Sequence, residues 1–119
     1  MAIIVDLNKT LVMDGYPIQR TIDYVNASPE RVYIVSGSHV SKRFDIERML
    51  STIGIKYDGL YLNPRDYGDN DFKESVARSL RPTISLAIDN SSKARDRYES
   101  LGIKAIHPEK LIDINSFWN

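Results

Sequence analysis

The chain has 119 residues, 42% of them hydrophobic and 27% charged. That is enough for one domain with a two- or three-layer core and too few for a pair of catalytic domains. Sixteen Lys and Arg balance sixteen Asp and Glu, so no overall field draws the chain to nucleic acid or anionic lipid, and any such contact has to be local. The absence of cysteine excludes disulfides, thiolate zinc sites and cysteine nucleophiles. Two histidines, His39 and His107, are too few and too far apart in sequence for a histidine metal cluster. The apolar run from Ala2 to Val5 stops at Asp6, and no stretch approaches bilayer-spanning length. The expectation is a soluble, cytoplasmic single domain over residues 1–119, without membrane contact.

In chain order, Ala2-Ile3-Ile4-Val5 is a short continuous apolar run, the pattern of a buried parallel strand. A polar stretch with glycine follows, and Pro17 stands where a first helical position would fall. Ile18, Ile22 and Val25 make one apolar helical stripe. Arg31 to Val35 reads as the second strand, ended by Ser36-Gly37-Ser38. Ile46, Met49, Leu50 and Ile53 form the next stripe, with Gly54 placed to cap the helix. Leu60-Tyr61-Leu62 is a third strand, broken by Asn63-Pro64-Arg65. Asp71 and Glu74 have capping-box spacing for a third helix, whose stripe is Phe72, Val76 and Leu80. Thr83 to Ile88 is the fourth strand, ending at Asp89. Ser91 or Ser92 is placed to cap a helix with the stripe Ala94, Tyr98 and Leu101 and with Gly102 as its stop. Lys104-Ala105-Ile106 is a final edge strand. Strands alternating with helices at this spacing predict an α/β domain, a three-layer Rossmann-like parallel sheet of about five strands.

In such sheets ligands bind beyond the carboxyl ends of the strands. Those ends carry Asp6-Leu7-Asn8-Lys9-Thr10, Ser36-Gly37-Ser38, Asn63-Pro64-Arg65 and Asp89-Asn90, with Lys73 near the start of the following helix. Two carboxylates, a hydroxyl and an ammonium on one rim suit a phosphate and a divalent cation. Carboxylate oxygens suit Mg²⁺, which bridges to substrate phosphate while keeping several waters.

The segment Ile3-Ile4-Val5-Asp6-Leu7-Asn8-Lys9-Thr10-Leu11 resembles the first motif of the haloacid dehalogenase (HAD) superfamily, an apolar strand followed by Asp-x-Asp-x-Thr. Ser36 after Tyr33-Ile34-Val35 is similar to the second motif, Lys73 to the third, and Asp89 after Leu86-Ala87-Ile88 to the fourth. The match spans nearly the whole chain in the family's order. Within the superfamily, Ile34-Val35-Ser36-Gly37, Leu60 to Lys73, and Asp89 to Ile103 resemble the 3′-phosphatase domain of polynucleotide kinase/phosphatase enzymes. The usual Arg after Ser-Gly is Ser38 here, and no P-loop is present. The resemblance implies a phosphatase or phosphotransferase in which Asp6 attacks phosphorus and becomes an aspartyl-phosphate. Asp6, the Asn8 carbonyl and Asp89 would hold Mg²⁺. Ser36 (with Gly37) and Lys73 would bind the phosphoryl oxygens, and Thr10 would stabilise the first loop or contact substrate.

The sequence departs from the family at the second acid of the first motif, which is Asn8, and at the acid after Asp89, which is Asn90. An amide neither gives nor takes a proton near neutral pH, and a general acid–base contributes about 10²- to 10⁴-fold. Three explanations stand: a weak phosphatase or phosphate-binding pseudoenzyme, an enzyme for good leaving groups or with a borrowed donor such as Asp14 or His39, and a substitution made to trap an intermediate. The gaps around Ser36 hold no cap domain, so the expected site is open, as in relatives acting on macromolecules or phosphorylated nucleic-acid ends. The partner expected is a phosphorylated small molecule or a nucleic-acid end, with an oligomer partner able to supply a lid. Lys93, Arg95 and Arg97 form a local basic cluster, and Trp118 is placed to pack on a helix or to make an oligomer contact. A response-regulator receiver would need its acidic pair after the first strand, and a dinucleotide-binding domain a glycine-rich turn there. Neither is present. The remaining rival is a catalytically inactive HAD-fold module binding a phosphate, a nucleic-acid end or a protein.

Overall fold

Strand β1 (Ala2–Val5) is buried at every residue, as a strand covered on both faces must be. Its side chains divide between two cores, Ile3 and Val5 on one face of the sheet and Ala2 and Ile4 on the other. The computed structural model describes residues 1–80 and 83–111. After β1 come a hairpin of β2 (Val12–Met13) and β3 (Tyr16–Pro17), helix α1 (Gln19–Ala27), β4 (Arg31–His39), α2 (Arg43–Ile53) and β5 (Gly59–Asn63). Then follow α3 (Asp69–Leu80), β6 (Ile84–Ile88), α4 (Ser92–Ser100) and the short β7 (Ala105–Ile106). The main sheet runs β5-β4-β1-β6-β7, with every neighbouring pair parallel. Helices α1 and α2 cover one face through Ile22, Val25, Ile46 and Leu50, and α3 and α4 cover the other through Phe72, Val76, Ala94 and Tyr98. This is the three-layer parallel α/β sheet that the strand–helix alternation predicts.

The chain steps outward from β1 to β4 to β5 and then returns to lay β6 on β1's other side. That reversal opens a crevice at the carboxyl ends of β4, β1 and β6, the place where open α/β sheets bind ligands. Between β1 and β4 lie only the hairpin and α1, and between β4 and α3 only a 3₁₀ turn, α2 and β5. Among the described residues there is no cap domain, and no helix is long and apolar enough to cross a membrane.

Several local expectations are corrected. Pro17 does not open α1: it pairs with Val12 in the hairpin, and the helix begins at Gln19. The connecting Asp14 and Gly15 both have positive φ, 52° and 83°, the primed-turn geometry that an Asp-Gly pair favours. Asp71 does not cap α3, which already starts at Asp69; it pairs across to Arg97 of α4 at 2.8 Å. The second strand does not end at Ser36 but continues to His39, with a slip in its pairing to β5 between Ser36 and His39. Such an irregularity lifts residues out of the ladder and re-aims their side chains. Gly54 does cap α2, in the left-handed conformation at φ 72°, and Ser91 does cap α4, accepting from the Ala94 amide. Trp118 lies outside the described residues.

Candidate active site

Four of the residues singled out in the sequence come together because each ends a strand or faces one. Asp6 follows β1, Ser36 lies at the slip in β4, Asp89 follows β6, and Lys73 reaches in from α3. All four are buried, with Asp89 only 1% exposed. Lys73 Nζ donates to Asp6 Oδ1 at 3.2 Å and to Asp89 Oδ2 at 2.8 Å, one ammonium bridging two carboxylates. Thr10 Oγ1 donates to Asp6 Oδ2 at 3.2 Å and accepts the Asn90 amide N–H at 3.2 Å. Thr10 is fully buried, and these bonds tie the loop after β1 to Asp6 and to the end of β6. Asp89 Oδ1 accepts from the Ser91 amide at 2.9 Å.

The surrounding acceptors assign the side-chain amide of Asn90. With its nitrogen turned inward it donates to Asp6 Oδ2 at 2.9 Å and to the Asn8 carbonyl at 3.0 Å. An acid at position 90 could make neither bond while ionised. Burial, and then the Asp89 charge, push the Asp6 carboxyl from 3.8 up to about 6, with Lys73 pulling the other way. For Lys73, burial would lower the ammonium, but the two carboxylates beside it hold it above its ordinary value.

Above these groups opens a cleft of about 320 Å³, lined among others by Asp6, Asn8, Ser36, Gly37, Lys73 and Asn90. Ser36 Oγ donates to Ser38 Oγ at 3.1 Å and accepts the Ser38 amide at 3.2 Å, which fixes the raised Ser36-Gly37-Ser38 segment. An ammonium, a hydroxyl and a carboxylate facing one open cavity can hold a phosphoryl group against an oxygen nucleophile. The donor set for a hard cation is all oxygen: Asp6, the Asn8 carbonyl and Asp89, which fits Mg²⁺ in kind. The fit is lean, because among the described residues no three acidic or histidine side chains cluster. The Asn90 nitrogen also already addresses two of the oxygens concerned.

Two residues of this cleft were not anticipated. Asp69, at the start of α3, lines it beside Gly37, so close that a Cβ on Gly37 would stand 2.3 Å from the Asp69 carboxylate. Lys9 lines it too, with φ 62°. The proposed stand-in proton donors do not reach it: Asp14 sits in the hairpin turn, and His39 Nδ1 accepts the Ser41 amide at 3.1 Å. Two of the three residues of the basic cluster on α4 are engaged within the chain, while Lys93 is exposed. Arg95 donates to the Asp89 carbonyl at 2.9 Å, and Arg97 pairs with Asp71.

The sequence matches no protein-family model and no curated protein. Solved structures do match. One is a chain in the structure of the Pnkp1/Rnl/Hen1 RNA repair complex, with a TM-score of 0.78 and 20% identity over 89% of this chain. The present chain spans 41% of the length of that one. Another is the NMR structure of the core domain of a "putative phosphoglycolate phosphatase" from Streptococcus pneumoniae TIGR4, with a TM-score of 0.59 and 16% identity over 89% of this chain and 77% of that one. At these identities the likeness is one of fold. The fold is HAD-like: a Rossmann-like α/β domain with its polar residues gathered at the carboxyl ends of the central strands.

Proposed function

We propose that the chain is a Mg²⁺-dependent phosphatase or phosphotransferase acting through an aspartyl-phosphate on Asp6, with weakened acid–base chemistry. The observation that carries this is the Lys73 bridge between Asp6 and Asp89 at the floor of a cleft that also presents Ser36. An Asp6 carboxylate oxygen attacks the phosphorus of a monoester, and the bond from phosphorus to the leaving oxygen breaks. Lys73 and Ser36 hold the phosphoryl oxygens while charge builds on them. The leaving oxygen takes its proton from water, because Asn8 has none to give. Water then attacks the aspartyl-phosphate, releasing phosphate and restoring the carboxylate. Asp6, the Asn8 carbonyl and Asp89 would hold Mg²⁺, which neutralises phosphate charge when bound.

The open, uncapped cleft and the likeness to a chain of an RNA repair complex support a nucleotide or a nucleic-acid 3′-phosphate as the substrate class. A second reading, a module that binds phosphorylated ends without turnover, is favoured by one observation: the Asn90 amide addresses the oxygens that a cation would need.

Restoring the carboxylate with Asn8→Asp separates the two. It should raise Mg²⁺-dependent phosphate release by roughly one to three decades, most for alkyl phosphates and least for nitrophenyl esters, whose leaving groups need no proton. In the unaltered protein, mass spectrometry after reaction should find phosphate on Asp6. No release from sugar, nucleotide or 3′-phosphorylated oligonucleotide substrates by Asn8→Asp would leave the binding module as the function.

A further inference from the structure

Asn90 follows Asp89 at the end of β6, and its backbone and side chain serve one network. The backbone N–H donates to Thr10 Oγ1 at 3.2 Å, and the Thr10 hydroxyl donates in turn to Asp6 Oδ2 at 3.2 Å. Because Thr10 is fully buried, these bonds fix where the Asn90 side chain begins and where it can point. Its nitrogen lies 2.9 Å from Asp6 Oδ2, 3.0 Å from the Asn8 carbonyl and 3.3 Å from Thr10 Oγ1. An oxygen in that place would face the Asp6 and Asn8 oxygens with no proton between them. Three oxygens of the loop after β1 thus converge on one donor from the end of β6.

The other oxygens of the candidate cation ligands are engaged as well. Lys73 Nζ takes Asp6 Oδ1 and Asp89 Oδ2, and the Ser91 amide takes Asp89 Oδ1. Every carboxylate oxygen of the pair has a proton donor supplied by the chain itself. A carboxylate at position 90 would add charge beside Asp6 and Asp89 and leave it for a cation to balance. The amide does the reverse, satisfying Asp6 without adding charge. Mg²⁺ dehydrates reluctantly and demands near-ideal octahedral geometry, so it gains least where each oxygen must first be taken from a donor.

We propose that Asn90 is the residue that sets metal affinity in this chain. Its amide competes with the cation for Asp6 Oδ2 and the Asn8 carbonyl, and Mg²⁺ is in consequence an exchangeable ligand rather than a resident one. This rests on the reading of Asp6, the Asn8 carbonyl and Asp89 as the cation ligands, and it gives position 90 a part opposite to that of a ligand.

The test is calorimetric titration of Mg²⁺ into the full chain after removal of cations with EDTA, beside Asn90→Ala and Asn90→Asp. Asn90→Ala removes the competing donor without adding charge. It should tighten Mg²⁺ binding about tenfold, the worth of one hydrogen bond to a charged group. Asn90→Asp should tighten it further, because it adds a carboxylate. Weaker binding by Asn90→Ala would make the Asn90 oxygen a ligand, and unchanged binding would make the residue a bystander; either result overturns the proposal. Nuclear magnetic resonance of the side-chain amides gives a readout that needs no folded Asn90→Ala. In the cation-free unaltered chain the Asn90 NH₂ pair, identified by its absence from Asn90→Asp, should exchange slowly with solvent. Saturating Mg²⁺ should shift that pair and speed its exchange, and a pair left unmoved and protected overturns the proposal. Asp89→Ala keeps the two readings apart. Mg²⁺ binding untouched by that change, or undetectable in every variant, means that the cation reading itself is wrong. Binding lost in Asp89→Ala but indifferent to position 90 overturns the inference about Asn90 alone.

Discussion

Asp6 carries a conflict that can be measured. Its carboxyl is buried and its affinity for a proton is raised to about 6, against 3.8 in an open chain. The folded state therefore holds the proton more tightly than the unfolded state does. The stability contributed by this group is complete below about pH 4 and is lost as the pH rises through about 6. In EDTA, the unaltered protein should lose about 2 kcal/mol relative to Asp6→Asn between about pH 4.5 and 7.5, the part of the raised pKa that titrates in that window at about 1.4 kcal/mol per unit. Urea titrations of both proteins at pH 4.5 and 7.5 would show it. A constant difference between them would mean that Lys73 and Asn90 already compensate the charge in full. The residues that make the conflict were legible in the sequence because an apolar run ending in Asp or Ser is what a buried strand feeding a site looks like. Lys9 and Asp69 were not. The left-handed backbone at Lys9 is normally signalled by glycine, and Asp69 was hidden by a capping pattern two residues further on.

At the scale of elements, α4 packs its Tyr98 wholly into the core, where the phenolic oxygen finds no partner among the described residues. Burial first, and then the Asp89 and Asp6 charges, drive that hydroxyl far from ionising. Tyr98→Phe keeps the ring and removes a buried, unpaired polar group, so it should stabilise the domain by about 1 kcal/mol, read as a higher melting temperature. A fall would reveal a bond that the packing conceals. The stripe Ala94, Tyr98 and Leu101 was readable from spacing alone, as was the glycine that ends α2. The hairpin was not read, although Asp14-Gly15 is a strong turn signal, because Pro17 invited a helix. A two-residue ladder is too short for periodicity to reveal. The extension of β4 past Gly37 was equally invisible, since glycine between serines reads as a turn. Here it is the small residue that lets the Asp69 carboxylate approach the strand.

Over the whole molecule, five parallel strands place the candidate cation ligands on two different ones, Asp6 after β1 and Asp89 after β6. A bound cation would tie those two strand ends together and stabilise only the folded state. Mg²⁺ should therefore raise the melting temperature of the unaltered chain, and Asp89→Ala should abolish the rise together with any phosphatase activity. A rise that persists in Asp89→Ala would place the ion elsewhere. The order of the strands also bears on how the chain comes to be. β1 lies between β4 and β6, and β6 lies about eighty residues further along. During synthesis at about 5–20 residues per second, the strand bearing Asp6 waits on the order of ten seconds for its second neighbour. Through that interval it can dock on β4, but its other side stays open to any passing strand. A stall before residue 84 prolongs that wait, so chains arrested there should aggregate more readily than chains released after β6 has been made.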